Sequence, residues 1–392
     1  SVLRHLLKYL FVFILYIFFV SVPAYNQVVD STTKVVSVNG YVKELPYLQF
    51  VNNKTTTFNN ILNLRLNFAV NISNSTNIHL EMRNRLMFGD TEWGTGQILK
   101  SLQQNNGWIN LGAAAPVGGN RAVIHTMADR LFFEHNAGKW QIRAGRQRIN
   151  WGINLVSNPN DLFNTYSFFD FDYPERPGAD ALRIQYYRST MSHVEMAFAP
   201  ADHIKDAVGA FLYAINRNGF DIQFITGYYH NRLALGMGWA GNILNAGFKG
   251  EIGTFTDIEK AGRKTNVIVS LSGDYMFEAG LYMVVEALYN GGFESAESFS
   301  IDLYKPLSAD NIMFSQYALT TSVSYPFSPL LSGTLSAMSL PDIHAFFISP
   351  SLTWSLLPDV DAALTSQIFS IGGRSGESVT ANALIGSLQW SF

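Results

Sequence analysis

The 392-residue chain contains no cysteine. Disulfide frameworks and cysteine-ligated sites, such as zinc fingers and iron–sulfur clusters, are therefore excluded. Charged residues are also scarce, at 15% of the chain, against about 25% in typical soluble domains. The formal net charge of −3 gives no reason to expect a nucleic-acid partner. Nothing in the composition indicates a cofactor.

Long apolar runs are missing except at the N-terminus. A helical membrane protein of this length would show several apolar runs of about 20 residues. Elsewhere in this chain apolar and polar residues are finely mixed, and the mean hydropathy is only +0.07. A strand with lipid on one face and water on the other requires such mixing.

The first 24 residues have the pattern of a secretory signal peptide. Arg4, His5 and Lys8 form a basic region, an apolar stretch runs from Tyr9 to Val20, and small residues precede Ala24. This order predicts a signal peptide over 1–24 and one mature domain over 25–392. The alternative is an N-terminal membrane anchor, for which the apolar stretch is short.

Strict alternation of apolar and polar residues is clearest over 63–72. Leu64, Leu66 and Phe68 would share one face, with Arg65 and Asn67 on the other. Ten alternating residues suit a tilted membrane strand, with apolar side chains toward lipid and charges inside. A soluble sandwich would instead bury the apolar face.

The same pattern recurs to the end of the chain and predicts an all-β protein. Counting candidate strands from about Val36 gives a transmembrane antiparallel up-and-down β-barrel of about 18 strands, or 16 if short strands around 207–241 merge. An even count places both ends on the periplasmic side of a Gram-negative outer membrane, with long loops outside. Tight turns are expected at 136–138, 216–219, 327–329 and 357–359, and longer segments at 90–126, 149–177 and 290–311.

The chain ends on an apolar face that carries Trp390 and Phe392. A last strand with a C-terminal aromatic residue resembles the recognition signal of the outer-membrane barrel assembly machinery. The expected partners are this machinery, outer-membrane lipid and a small hydrophilic solute, with homo-oligomer formation possible in principle.

The segment Gly145–Asp180 reads G-R-Q-R-I-N-W-G, then N-P-N-D-L, then D-F-D-Y-P-E-R-P-G-A-D. It resembles a segment shared by porin-like barrels, among them uncharacterised Bacteroidota outer-membrane proteins and alginate-export-type porins. The resemblance covers about one tenth of the chain. It implies passage of small solutes and does not name the solute.

Residues 149–177 are predicted to fold into the lumen as a constriction loop. The segment is long, contains three prolines and is too aromatic to lie free in water. The alternative is a lid over the barrel mouth. The candidate constriction residues are Trp151, Asn158, Asp161, Asp170, Asp172 and Glu175.

Strand alternation also places many charged side chains inside the barrel. The candidate pore-lining residues are Arg65, Arg83, Arg85, Arg130, Arg143, Arg183, Glu81, Glu134 and Glu195. Arginines that face an acidic loop would create a transverse field for polar solutes; alternatively, the inward charges simply pair with each other. Arg146 and Arg148 would face lipid unless a bulge at Gly145 turns them inward or the strand has already left the membrane.

These patterns predict a passive or weakly selective channel for small hydrophilic solutes. The alternatives are a substrate-selective carbohydrate-type exporter or importer, and a non-conducting assembly or structural barrel. An enzyme is not predicted, because no G-x-S-x-G, H-E-x-x-H or Walker-type motif occurs. The eight histidines are scattered, so no metal site is predicted.

Overall fold

The computed structural model describes residues 35–52, 55–103, 107–164, 175–259, 264–293, 307–372 and 378–392. The predicted signal peptide lies outside these residues. Among them, no helix combines the length and apolar character needed to cross a membrane.

Most of the described chain forms antiparallel strands joined at their ends. The strands are β1 Val36–Val51, β2 Thr55–Ser73, β3 Thr76–Gly89, β4 Gly112–Pro116, β5 Ala122–Ala137, β6 Trp140–Gln147, β7 Ala179–Ser189, β8 Ser192–Ala199, β9 Val208–Arg217, β10 Phe220–Tyr229, β11 Arg232–Ile243, β12 Ala246–Asp257, β13 Thr265–Met276, β14 Tyr282–Asn290, β15 Tyr317–Ser328, β16 Leu331–Leu340, β17 Ala345–Leu357, β18 Val360–Gly372 and β19 Ser378–Ser391. One α-helix, α1, covers Gly96–Gln103. Short 3₁₀ turns cover Ile204–Asp206 and Pro341–Ile343.

The strands form one closed sheet. Each pairs with its neighbours along the chain, and β19 pairs with β1, so the sheet has no open edge. Strand β4 is an extra short strand that pairs with β5 only, beyond the end of β6. The barrel therefore has 18 spanning strands, as predicted. The count of 16 is wrong because β9, β10 and β11 are three separate strands.

Short turns lie at one end of the barrel and long loops at the other. At the end that holds the start of β1 and the end of β19, seven connections have two residues and the one between β13 and β14 has five. The long connections 90–121, 148–178 and 291–316 all lie at the opposite end. The predicted loop 90–126 is too long, because it contains α1 and β4 and because β5 already begins at Ala122.

The side chains alternate between an apolar outer face and a mixed inner face. Leu233 and Leu235 point outward and are 45% and 49% exposed, whereas Ala234 between them is buried. On β2, Arg65 points inward and is only 2% exposed. An apolar surface around a closed sheet is what a lipid environment requires.

Closure of the barrel depends on a close approach at Gly40. The main chains of Gly40 and Phe392 exchange two N–H···O bonds of 3.0 Å. A Cβ atom at Gly40 would lie 2.1 Å from the carbonyl oxygen of Arg65 and 3.1 Å from the Phe392 ring. Only glycine therefore lets β1, β2 and β19 approach this closely.

We expect Gly40→Ala to destabilise the barrel by about 1–3 kcal/mol, because the new methyl group forces backbone to move. Gly386→Ala on β19 is the matched control, since its Cβ would meet nothing closer than 3.5 Å. Heat-modifiable gel mobility and urea titration in liposomes measure the difference. Equal stability of the two variants would contradict the role given to Gly40.

Candidate functional site

Residues 148–164 run through the barrel interior. The indole N–H of Trp151 donates to Glu195 Oε1 on β8 at 2.6 Å, and the Gln223 side chain on β10 donates to the Trp151 carbonyl at 2.6 Å. Ile149, Trp151 and Leu162 belong to the same apolar cluster as the inward side chains Leu212 and Phe255. This segment is therefore packed on the inner wall.

A buried carboxylate on β12 holds the segment by its backbone. Glu251 is 0% exposed. Its Oε1 accepts the N–H groups of Ile153 and Asn154, the second at 2.9 Å, and its Oε2 accepts that of Asn160 at 3.0 Å. Three backbone N–H groups thus bond to one buried side chain, which fixes this part of the loop on β12.

A second wall carboxylate, Glu286 on β14, holds the next turn. Its two oxygens accept the N–H groups of Val156 and Ser157 at 3.2 and 2.7 Å. Between these two attachments, the Asn154 side chain donates to Ser270 Oγ at 2.8 Å and accepts from Ser272 Oγ at 2.8 Å. The segment is thus bound to the wall from β8 to β14.

Glycines on the wall provide the space for the segment. A Cβ at Gly236 would lie 2.5 Å from the Asn160 side chain, and one at Gly238 would lie 2.7 Å from Ile153. Gly253 faces Pro159 at 3.1 Å. Larger inward residues at these positions would push the segment away from the wall.

The arginines of β2, β3 and β5 are paired within the barrel. Arg65 contacts Glu81, and its Nη1 lies 2.8 Å from Asp129 Oδ2. Asp129 is an extra residue in β5, where a bulge turns both Asp129 and Arg130 inward. Arg83 lies 3.6 Å from the same Asp129 carboxylate.

Four further contacts connect this cluster to the end of the 148–178 loop. Glu175 accepts the Tyr41 hydroxyl at 2.7 Å and lies 3.8 Å from Arg65. Arg130 donates to the carbonyl oxygens of Glu175 and Arg176, both at 2.9 Å. Glu175 therefore lies among the arginines.

The remaining candidate arginines are also engaged. Arg85 contacts His125 Nδ1, with its Nη2 at 3.1 Å. Arg143 pairs with Glu134. Arg183 binds the Glu195 carboxylate with two contacts of 2.6 and 2.7 Å.

The backbone at Gly145 turns Arg146 into the barrel, but not through the predicted bulge, because β6 keeps its register with β5 and β7 there. Gly145 has a φ of 118°, in the region that favours glycine. Arg146 is buried and binds Asp180 with two contacts of 2.8 Å. The other Asp180 contact is the Ile109 N–H at 2.8 Å, so this pair also holds the 90–121 loop.

The acids of the 148–178 loop do not form a separate row opposite the arginines. Asp161 is 1% exposed and accepts the Trp151 N–H at 3.2 Å. Burial raises the pKa of its carboxyl to about 7, so it carries only part of a charge near neutral pH. Asn158 is buried too. Asp170 and Asp172 lie outside the described residues, and Glu175 sits within the arginine cluster.

Arg65, Arg83, Arg143 and Arg183 each lie beside an acid of the barrel wall, as expected if inward charges pair with each other. The transverse field also depends on Asp170 and Asp172, outside the described residues, and stays a prediction. Each candidate arginine has its contacts with wall side chains or with the loop backbone. Burying charges in pairs limits the desolvation cost that an isolated inward charge would carry.

Two other loops also reach the interior, which the sequence did not predict. Trp93 and Leu102 of the 90–121 loop pack on the inner cluster formed by Leu45, Ile61 and Met87. In the third long loop, Ala309, Ile312 and Met313 are buried in the cluster that holds Trp151. Nor did the sequence single out Glu251 and Glu286. Their signal was an acid on the inward face in the middle of a strand, the same alternation that singled out Glu134 and Glu195.

Within the described residues, no group of three or more His, Asp or Glu side chains is placed to hold a metal ion.

No protein-family model matches the chain, and no curated protein matches it in sequence. Solved structures match it in fold. OccK5 (OpdH) of Pseudomonas aeruginosa is 8% identical with a TM-score of 0.56, covering 91% of this chain and 98% of its own. OccAB4 of Acinetobacter baumannii is 9% identical with a TM-score of 0.55, covering 91% and 98%. The outer membrane protein OpdK of P. aeruginosa is 9% identical with a TM-score of 0.54, covering 91% and 99%.

We expect Glu251→Gln to loosen the 148–164 segment, because the amide nitrogen of glutamine cannot accept the N–H group that one of the two Glu251 oxygens accepts. A buried N–H group left without an acceptor costs about 1–3 kcal/mol. In planar bilayers the variant should show larger open-channel noise. Glu134→Gln is the control, since Glu134 is an inward wall acid that pairs with Arg143. Noise equal to that of the control would contradict the attachment.

Proposed function

We propose that this chain is a channel of a Gram-negative outer membrane that passes small hydrophilic solutes, passively or with weak selectivity. The observation that carries the proposal is the closed 18-stranded barrel with an apolar outside and a polar inside. In lipid, only helices and closed barrels pair all their backbone polar groups. The fold shared with OpdK, an outer membrane protein, supports the same location.

The loop 149–177 is proposed to narrow the passage. Its described part lies against the inner wall and is held by Glu195, Glu251 and Glu286. A loop fixed at three places inside a barrel reduces the open cross-section without depending on a lid. The candidate pore-lining residues on β2, β3, β5 and β6 would border the remaining passage, whereas Arg183 and Glu195 lie at the loop itself.

Three sequence hypotheses belong to the same proposal. Residues 1–24 would direct export, and Trp390 and Phe392 would be read by the barrel assembly machinery. The pairing of Phe392 with Gly40 supports the second, since the last strand is the one that closes the sheet. Kinship with Bacteroidota porin-like proteins and alginate-export-type porins remains a hypothesis based on the Gly145–Asp180 segment.

Purified protein in planar bilayers should give discrete conductance steps in potassium chloride. The reason is that a partly polar, water-accessible interior conducts ions even when loops narrow it. Heat-modifiable gel mobility shows that the sample is folded. Folded protein without conductance would favour the non-conducting structural barrel instead.

We expect Arg143→Gln to shift ion selectivity toward cations, because it leaves the Glu134 carboxylate without its cationic partner. The double variant Arg143→Gln, Glu134→Gln is the matched control, because it removes the pair without changing the net charge. Reversal potentials at low and high salt measure the shift, which salt at about 0.15 M screens beyond about 8 Å. If the single and double variants agree at low salt, this pair does not face the ion pathway.

A further inference from the structure

One part of the inner wall carries almost no charge. Strands β15–β19 contain no lysine or arginine, and Asp361 is their only acid. The candidate arginines all lie on β2, β3, β5, β6 and β7. The barrel interior is therefore divided into a charged side and an uncharged side.

The uncharged side is covered with hydroxyl groups. Three cross-strand pairs bond hydroxyl to hydroxyl: Ser322 with Ser336 at 3.0 Å, Ser324 with Thr334 at 2.9 Å, and Ser351 with Thr365 at 2.8 Å. These positions face inward because their strand neighbours Leu319, Leu335, Leu352 and Leu364 are the exposed outer residues. We call this surface, on β15–β18, the hydroxyl wall.

Within the described part of the chain, the hydroxyl wall faces the barrel interior. Its six hydroxyl side chains are all half-buried rather than buried. Residues 148–164 are bound to the wall from β8 to β14, and Trp93 and Leu102 pack on β1–β3 and β19. The described part of the third long loop packs on Met338 and Phe347 of β16 and β17, which lie closer to the loop end than the six hydroxyl groups. A hydroxyl has one donor and two acceptor sites, so a hydroxyl that is paired once can still bond to a solute.

A separate cavity lies at the loop end, between the 90–121 loop, the 148–178 loop and the connection from β8 to β9. Its volume is about 390 Å³, within the usual range for small-ligand sites. Trp108 and Phe163 supply aromatic surface, and Asp202 and Asp206 supply carboxylates. The Trp108 indole donates to Asp202 at 3.2 Å, and the ring remains 56% exposed.

We propose that the solute is a neutral polyhydroxylated molecule of mono- or disaccharide size, received in the cavity at Trp108 and conducted along the hydroxyl wall. This names the solute class of the channel and rests on that proposed function. An exposed aromatic face packs on the C–H face of a sugar ring, while carboxylates accept its hydroxyl groups. As the solute moves along the hydroxyl wall, its hydroxyl groups pass from one wall hydroxyl to the next, and no charged side chain holds it in place.

The two sites together distinguish this class from ionic solutes. An organic cation would suit the aromatic and acidic cavity, but the hydroxyl wall offers it only Asp361. An anion would meet the carboxylates of Asp202 and Asp206 first. Only a neutral solute with many hydroxyl groups is complementary to both surfaces.

Current recordings in planar bilayers test the proposal with maltose, choline and gluconate as probes. Maltose should reduce and modulate the potassium chloride current in a concentration-dependent way, and the two ions should not compete with it. Trp108→Ala should weaken the maltose effect about fivefold or more, on the scale of one or two lost contacts. Trp140→Ala, an exposed outer-face tryptophan, is its control.

The hydroxyl wall is tested by the combined variant Ser322→Ala, Ser336→Ala, Ser351→Ala, Thr365→Val. Its potassium chloride conductance should persist, while liposome swelling in maltose should slow at least about fivefold. Ser339→Ala with Ser366→Ala is the matched control, because both hydroxyls lie on the outer face. If the fourfold variant does not fold, the double variant Ser322→Ala, Ser336→Ala is compared with the same control.

A stronger block by choline or gluconate than by maltose would overturn the proposal, as would maltose swelling that is equal in the wall variant and its control. Either result leaves the channel itself intact. Absence of any conductance from folded protein would instead refute the channel function on which the proposal rests.

Discussion

Every backbone N–H and C=O group in a membrane needs a partner within the protein, and the rest of this structure follows from that constraint. Closure of β19 on β1 supplies the last row of partners. It also requires Gly40, because a side chain there would meet the backbone of β2. Once the sheet is closed, alternation decides which side chains meet lipid and which lie inside.

The interior has to accommodate three loops, and it does so with wall residues of two kinds. Gly236, Gly238 and Gly253 leave room for the loop main chain. The side chains of Glu251 and Glu286 accept N–H groups of the irregular loop, which have no partner strand. Burying these acids is costly unless their hydrogen bonds are made, so the acids and the loop stabilise each other. The 148–164 segment is thereby a fixed layer on the inner wall of the barrel.

Charge is distributed unevenly around the barrel, with consequences for what passes through it. The arginines of β2–β7 are mostly neutralised by nearby acids, of which Asp129 is shared by Arg65 and Arg83. Strands β15–β18 instead present paired hydroxyl groups. An interior bounded on one side by ion pairs and on the other by hydroxyl groups has little net field, which supports the proposal of a neutral solute.

The sequence by itself determined the barrel, because a period of two can be read locally. The alternation of Leu64, Arg65 and Leu66 shows which side chains share a face of the strand, even when the neighbouring strands are unknown. Turn residues mark where strands end. The number of strands then followed by counting, apart from the short strands around 207–241. The same alternation placed Arg65, Arg83 and Arg143 inside.

Only the tertiary structure decided what those inward residues do. Asp129 reaches Arg65 across a separation of 64 residues through a bulge that no alternation predicts. Glu251 meets Asn154 across 97 residues, and its role depends on where an irregular loop lies. Loops lack a period, and contacts between distant segments depend on barrel closure, so the loop attachments, the paired charges and the division of the wall could not be predicted from local pattern.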